Sequence, residues 1–338
     1  MLWSMPIALA DISAFAYWRT HDRNENQRLL PHRRGTLTLG SPTRAAIDEL
    51  GSFGINCDPS DIHILVSGQG AIRHLKHVTC HVISDLPAAS LVQAAPGIYV
   101  ATPEMTLAQM ARHQSLVDTL SLSYELCGTY RVVPDSLDPA YCSDPVTSLR
   151  SIQRFCTRAA HIRGTKALSR AACYLCDGSA SPAETALSIM LCLPRQRGGY
   201  GLPKPLLNCT LELNEVATRT AGCSTIRPDF LWPGTAAEYD GRMYHSSTEQ
   251  SEYDERRRTT YGHMGMSVVV FGTRHLQNTA ALDDQVDLLR RSLGIERPSR
   301  LPSGYAQKHE ALASSLFAYW RKWHFKNLAE TTRLENAL

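Results

Sequence analysis

Two short β-prone segments constrain this chain most: residues 226–232 (Ile-Arg-Pro-Asp-Phe-Leu-Trp) and 235–240 (Thr-Ala-Ala-Glu-Tyr-Asp), joined by Pro233-Gly234 alone. Segments of this kind around a two-residue turn predict a tight hairpin. Each strand carries a carboxylate in apolar surroundings, Asp229 in the first and Glu238 in the second. Across so short a turn the two side chains can meet at one end of the hairpin. Asp240, two residues beyond Glu238, faces the same side. Gathering carboxylates among apolar residues is costly unless positive charge sits between them. A hard divalent cation with oxygen ligands is the usual answer; pairing with Arg227 or Arg242 is the alternative.

The flanking pattern extends the frame. Ser181, Pro182 and Glu184 form a capping box that opens an apolar helix through Leu193. A Gly- and Pro-rich loop follows over 195–205, then an alternating strand over 208–213, then the hairpin. A charged helix is predicted over 248–263, a buried strand over 267–271 and a last helix over 282–293. The order is helix, three strands, helix, strand.

Pro228-Asp229 and Glu238-Tyr-Asp240 on this pattern resemble the PD-(D/E)XK, or restriction-endonuclease-like, nuclease superfamily. The closer likeness is to small bacterial domains akin to the very-short-patch repair endonucleases. Those share a helix glutamate, matching Glu184, and an aspartate in an Arg/Val-x-Asp-x-x-Trp strand, matching Asp229. They also share a Glu-x-Asp-Gly-x-x-x-His run, here Glu238 to His245, an Asp-x-x-Arg helix, here Asp254 to Arg257, and a Gly-x-x-Val-Val strand, here Gly265 to Val269. The resemblance implies an αβββαβ core over about residues 182–287 and a metal-dependent DNA endonuclease that hydrolyses phosphodiester bonds. Asp229 and Glu238 would hold Mg²⁺ or Mn²⁺, and Glu184 would orient a water or a second metal. DNA repair or mobile-element defence follows from the same likeness. One position departs from the pattern: Asp240 stands where the superfamily has its lysine. His245 and Arg257 are the two candidates to take that lysine's part. If neither does, the domain is a catalytically weak, nuclease-fold DNA-binding regulator resembling an antitoxin. Taken as isolated residues, Glu184 can be a helix cap, His245 a surface histidine and Glu252 to Arg258 a salt-bridged helix face.

The fold class expected for the whole chain is mixed α/β, of the α+β kind, with the endonuclease-like core in the C-terminal half. The chain's 338 residues suggest two domains. Residues 1–140 read as a smaller mixed α/β domain, 141–180 as a basic helical connector, 181–295 as the endonuclease-like domain and 296–338 as an aromatic-basic C-terminal helix. In the N-terminal part, helices are predicted over 1–20, over 41–50 and from Thr102, with strands over 62–67, 78–83 and 98–100. The first helix would be capped by Asp11 or Ser13. The arrangement loosely resembles the abortive-infection antitoxins of the AbiEi type. His63, His74, His77 and His81 cluster in sequence, but their spacings fit no tight metal motif, and they read as strand or surface histidines.

Net charge is only +3, so any nucleic-acid footprint must be local. Arg150, Arg154 and Arg158 recur every four residues and would form one basic stripe on a helix, able to grip phosphates. Arg256 and Arg257 on the charged helix join them as DNA-contact candidates. The aromatic-basic tail around Trp320 and Trp323 would pack on its own domain or face a partner, and a protein partner is left open. The ten cysteines lack a zinc-finger spacing around the single Cys173-x-x-Cys176 pair and read as reduced thiols. With no recognisable signal peptide or membrane span, a cytoplasmic protein is the expectation.

Overall fold

The computed structural model describes residues 6–21, 38–55, 58–132, 139–241 and 248–317. The chain divides into two compact units: Met1–Pro134 with Cys142–Leu175, and Asp135–Tyr141 with Cys176–Leu338. Both mix helices with sheets, an α+β organisation.

The first unit is built on a mixed sheet. Its strands are β1 (Ile7–Leu9), β2 (Ile62–Val66), β3 (Val78–Val82), β4 (Leu91–Ala95) and β5 (Ile98–Ala101), in the order β3-β2-β1-β5-β4. Its first helices are α1 (Asp11–Thr20), α2 (Arg44–Asp48), α3 (Pro103–Met110) and α4 (Leu116–Cys127), followed by the short strand β6 (Tyr130–Arg131). Residues 1–20 are thus not one helix. Ile7-Ala8-Leu9 form the central strand, antiparallel to β2 and parallel to β5, because burial between two strands outweighs local helix preference. Asp11 does not cap α1 with its side chain. Helix α1 turns inward and buries Trp18, whose indole N–H donates to the Ala101 carbonyl at 2.7 Å. Thr102 caps α3 through its hydroxyl, with Pro103 in the first turn.

The basic stretch after residue 141 forms α5 (Leu149–Arg158) and α6 (Thr165–Ala172), which belong to the first unit rather than standing apart as a connector. Ile152, Phe155, Cys156, Leu168 and Ala171 are buried, while Arg150, Arg154 and Arg158 lie exposed on the other side of α5. The helices part at Gly164 (φ 98°), where a Cβ would stand 1.8 Å from the carbonyl oxygen of Ala108 in α3.

The second unit begins with the short strand β7 (Ala140–Tyr141) and the buried helix α7 (Pro182–Cys192). A four-stranded sheet follows: β8 (Leu206–Leu207), β11 (Phe230–Trp232), β12 (Thr235–Asp240) and β13 (Ser267–Gly272), in the order β13-β12-β11-β8. Strands β11 and β12 form the predicted hairpin, pairing Phe230 with Ala237 and Trp232 with Thr235. The turn needs a left-handed residue, and Gly234 (φ 72°) supplies it. Strand β13 returns parallel to β12 after α9 (Thr248–His263), as a parallel pair requires a crossover.

Of the strand predicted over 208–213 only Leu211–Glu212 is strand, β8 lying before it, and the strand predicted over 226–232 is split. Asn208 takes φ 47° and ends β8, so β9 (Leu211–Glu212) leaves the sheet and pairs with β10 (Thr225–Ile226) around helix α8 (Glu215–Ala221). Pro228, which has no N–H to give a ladder, separates β10 from β11. Helices α10 (Thr273–Gln277) and α11 (Thr279–Ser292) follow, with α11 packed on β13. The last described segment is helical over 305–317 and buries Phe317; the rest of the aromatic-basic tail lies outside the described residues. Among the described residues no helix is long and apolar enough to cross a membrane.

The approach at Gly164 makes a stability prediction. Gly164→Ala meets both a clash and a left-handed φ, and is expected to cost at least about 2 kcal/mol. Gly262→Ala, inside α9 with nothing within 4 Å of the new Cβ, is expected to stabilise by about 0.5–1 kcal/mol. Thermal melts followed by circular dichroism check both, and equal shifts for the two variants would refute the packing described at Gly164.

Candidate functional site

Strand register lines up the polar residues at one end of the second sheet. Phe230 pairs with Ala237 and with Leu207. One step further along both ladders, Asp229 lies opposite Glu238 and Asn208 opposite Asp229. The Asn208 amide donates to the Asp229 carbonyl at 3.1 Å, and the Tyr239 amide donates to Asp229 Oδ2 at 2.6 Å. Glu238, its side chain 12% exposed, stands beside Val270 of β13.

Helix α9 covers this end. Arg257 Nη2 donates to Glu238 Oε1 at 2.7 Å and to the Arg227 carbonyl at 3.2 Å. The Tyr261 hydroxyl donates to the same Glu238 oxygen. Arg257 and Tyr261 are four residues apart, so one helix face delivers both. The result is a cleft of about 340 Å³ lined by Asp229, Glu238, Asp240, Arg257 and Tyr261 among others.

Glu184 reaches the same line from α7. Its own amide donates to the Ser181 hydroxyl oxygen at 3.1 Å, and that hydroxyl donates to Glu184 Oε1 at 2.9 Å. Oε2 accepts the Ala180 amide at 2.9 Å and Asn208 Nδ2 at 2.6 Å. Glu184 is therefore a capping residue, and through Asn208 it is also tied to the carboxylate line. With both oxygens so engaged, it is placed to orient Asn208.

Electrostatics follow from burial. Desolvation, then the charge of Asp229, pushes Glu238 up to about 7, against the pull of Arg257 and Tyr261. Glu184 is likewise pushed up to about 7 by burial and by Asp229, opposed by its hydrogen bonds. Burial also raises Asp229, against the Tyr239 amide and Arg257. Three carboxyls converge, and Arg257 is hydrogen-bonded to one of them, Glu238. A proton or a further cation relieves the excess. Asp229 and Glu238 offer the hard oxygens that Mg²⁺ or Mn²⁺ takes from one or two carboxylates, the remaining positions going to water and phosphate. These residues fit such an ion.

The structure places the other predicted residues as follows. Asp240 lines the cleft at the end of β12. Arg256 is exposed on α9. Arg150, Arg154 and Arg158 are in the first unit, separate from the cleft-bearing one. His245 lies outside the described residues. Sequence reading missed Asn208 and Tyr261. Tyr261 was signalled by its four-residue spacing from Arg257; Asn208 carried no signal while its strand read as continuous. It also missed Asp11 with His63 and His81. Among the described residues these three are the one group of three or more His, Cys, Asp or Glu placed to hold a metal ion.

The raised carboxyls set a pH dependence. Glu184 and Glu238 hold protons more tightly folded than unfolded. Their contribution to stability is fully present below the unfolded carboxyl range and is lost as pH rises through about 7. In metal-free protein, Tm is expected to fall between about pH 5 and about pH 8, and Glu238→Gln to flatten the fall. Melts across that range decide it; identical pH profiles for the two proteins would contradict the assignment.

Compared with known protein families, curated proteins and solved structures, the chain matches none.

Proposed function

We propose that this chain is a metal-dependent DNA endonuclease of the restriction-endonuclease-like type, with its cleft at the end of the β11–β12 hairpin. The observation that carries the reading is the line of Asp229 and Glu238 at adjoining strand ends with Arg257 held against it. The order α7, β8, β11, β12, α9, β13 agrees with the αβββαβ core of that superfamily, with β9, α8 and β10 as an insertion.

Asp229 and Glu238 would hold Mg²⁺ or Mn²⁺. The chemistry such an ion supplies is polarisation of a phosphate oxygen and acidification of a bound water. The Tyr239 amide fixes Asp229 in place. Tyr261 and Arg257 fix Glu238 from the opposite wall. Asn208, itself oriented by Glu184, keeps the neighbouring strand end in register. Of the two candidates for the lysine's part, Arg257 is the one seen at the carboxylates. Its guanidinium stays charged at any working pH and would stabilise charge developing on the phosphate. His245 would serve as base. The exposed Arg150, Arg154 and Arg158 would contact the DNA backbone.

The Glu238–Arg257 ion pair also favours a second reading, in which arginine rather than a metal balances the carboxylate and the domain binds DNA without cutting it. Supercoiled and mismatch-bearing DNA, incubated with Mg²⁺ or Mn²⁺, separates the two. The nuclease reading expects nicking by the wild type that is abolished by a chelator and by Asp229→Ala or Glu238→Ala. A folded wild type that binds DNA with a steep salt dependence and never nicks it leaves the binding module. Replacing Arg150, Arg154 and Arg158 together would then abolish that binding.

A further inference from the structure

We propose that Asp11, His63 and His81 in the first unit form a binding site for a divalent transition-metal ion of the zinc type, with water completing its coordination. The site is independent of the carboxylate cleft, and nothing in it depends on the nuclease reading.

Asp11 is its centre. It opens α1, with Ala10 alone between it and β1, in a left-handed conformation (φ 49°) that costs a non-glycine residue about 1 kcal/mol or more. Its amide is held by the Gln109 side chain at 3.0 Å. The residue is 1% exposed, and its Oδ2 is buried with no hydrogen-bond partner. Its other oxygen lies 3.3 Å from His113 Nε2 and 3.9 Å from His63 Nδ1. A buried carboxylate with an orphaned oxygen is expensive, and a cation at this point would satisfy it.

The histidines come from neighbouring strands. In the parallel β2–β3 pair Leu65 lies beside His81, so His63, two residues earlier, shares the face of His81. Their ring nitrogens, His63 Nδ1 and His81 Nε2, are 2.9 Å apart. Zinc–imidazole bonds of about 2.0–2.1 Å at the tetrahedral angle put two ligating nitrogens about 3.3–3.4 Å apart, so the two rings need part by only about 0.4–0.5 Å to share an ion. On its far side His63 Nε2 meets Asp61 Oδ1 at 2.9 Å. A proton held there leaves Nδ1 with its lone pair toward Asp11 and His81, as carboxylate–histidine–metal arrangements require. The ligand atoms of Asp11, His63 and His81 all lie within 4.8 Å of one another. His81 lines a cleft of about 340 Å³, together with Gln69 and Gln109, that gives an ion access. Two imidazoles and one carboxylate select zinc and its neighbours over magnesium, whereas the second unit's cleft offers oxygens only.

Without an ion, the same geometry is a hydrogen bond from His81 to His63, and the orphaned oxygen remains. Zn²⁺ titration of the chelator-stripped full chain by calorimetry distinguishes the two. One equivalent is expected to bind with micromolar or tighter affinity, to raise Tm, and to bind at least about a hundredfold more weakly in Asp11→Asn and His81→Gln. Each variant's melt in chelator shows whether it has folded. Co²⁺ on the wild type is a second readout that needs no variant: visible d–d absorption without thiolate charge transfer is expected from nitrogen and oxygen ligands. No binding by the wild type, a thiolate spectrum, or undiminished binding by the folded variants would overturn the site.

Discussion

Negative charge gathered at the end of an apolar hairpin is the constraint around which the second unit is arranged. Asp229 and Glu238 come together because the register between β11 and β12 leaves no alternative. Their mutual repulsion and desolvation must then be met locally. Two elements answer, β12 through the Tyr239 amide and α9 through Arg257 and Tyr261, while the Asn208–Glu184 contact ties the end of β8 to α7. Each contact also fixes an element, so the polar line acts as a pin on the sheet. The compensation is partial, since Glu238 and Glu184 are still raised to about 7. A buried site left short of positive charge is under tension that a ligand can relieve, and for that reason perturbed carboxyls concentrate at functional sites.

The first unit meets a related difficulty with different donors. Asp11 is buried deeper than either hairpin carboxylate, and the groups seen paired with it are imidazoles. Imidazole nitrogens are ligands as well as bases, so on the proposed assignment this cluster would take a metal directly, where the hairpin pair would suit an ion that keeps much of its water. The two units thus present chemically distinct sites, hard oxygen in one and mixed nitrogen and oxygen in the other. A metal preference measured for one says nothing about the other.

How far these arrangements were legible follows from the range over which each is encoded. The hairpin, its Pro233-Gly234 turn and the Ser181–Glu184 capping box are written within a few residues, and their outlines were readable. Strand β1 was not, because Ile7-Ala8-Leu9 carry no local mark of a strand; two partners more than fifty residues away make them one. The shortening of the predicted 208–213 strand to Leu211–Glu212 turns on one left-handed backbone angle at Asn208, which asparagine tolerates but does not announce. The Asp11–His63–His81 cluster joins a helix start to two strands, and no spacing rule spans such a gap. Arg257 lay between these extremes. The helix and its face were readable, and contact with Glu238 required the crossover to bring α9 over β12.

Asp240 adds a third acid to the cleft and shifts its charge balance. With Asp229, Glu238 and Asp240 on one side of the cleft and Arg257 and Arg258 on the other, the cleft carries no excess of positive charge once the acids ionise. Arg257 is also engaged with Glu238 through Nη2, so only part of its charge is open to an approaching anion until an ion takes over that carboxylate. A phosphate approaching such a cleft meets neither steering nor a strong counter-charge. On the proposed reading a divalent ion must therefore arrive before or with the nucleic acid, and the two bindings are thermodynamically linked, each strengthening the other. A lysine at position 240 would weaken that linkage by giving the phosphate a cation of its own. On the same reading, aspartate there would make occupancy of the carboxylate pair the condition for backbone binding in the cleft, leaving exposed arginines such as the α5 stripe to supply any contact made without it.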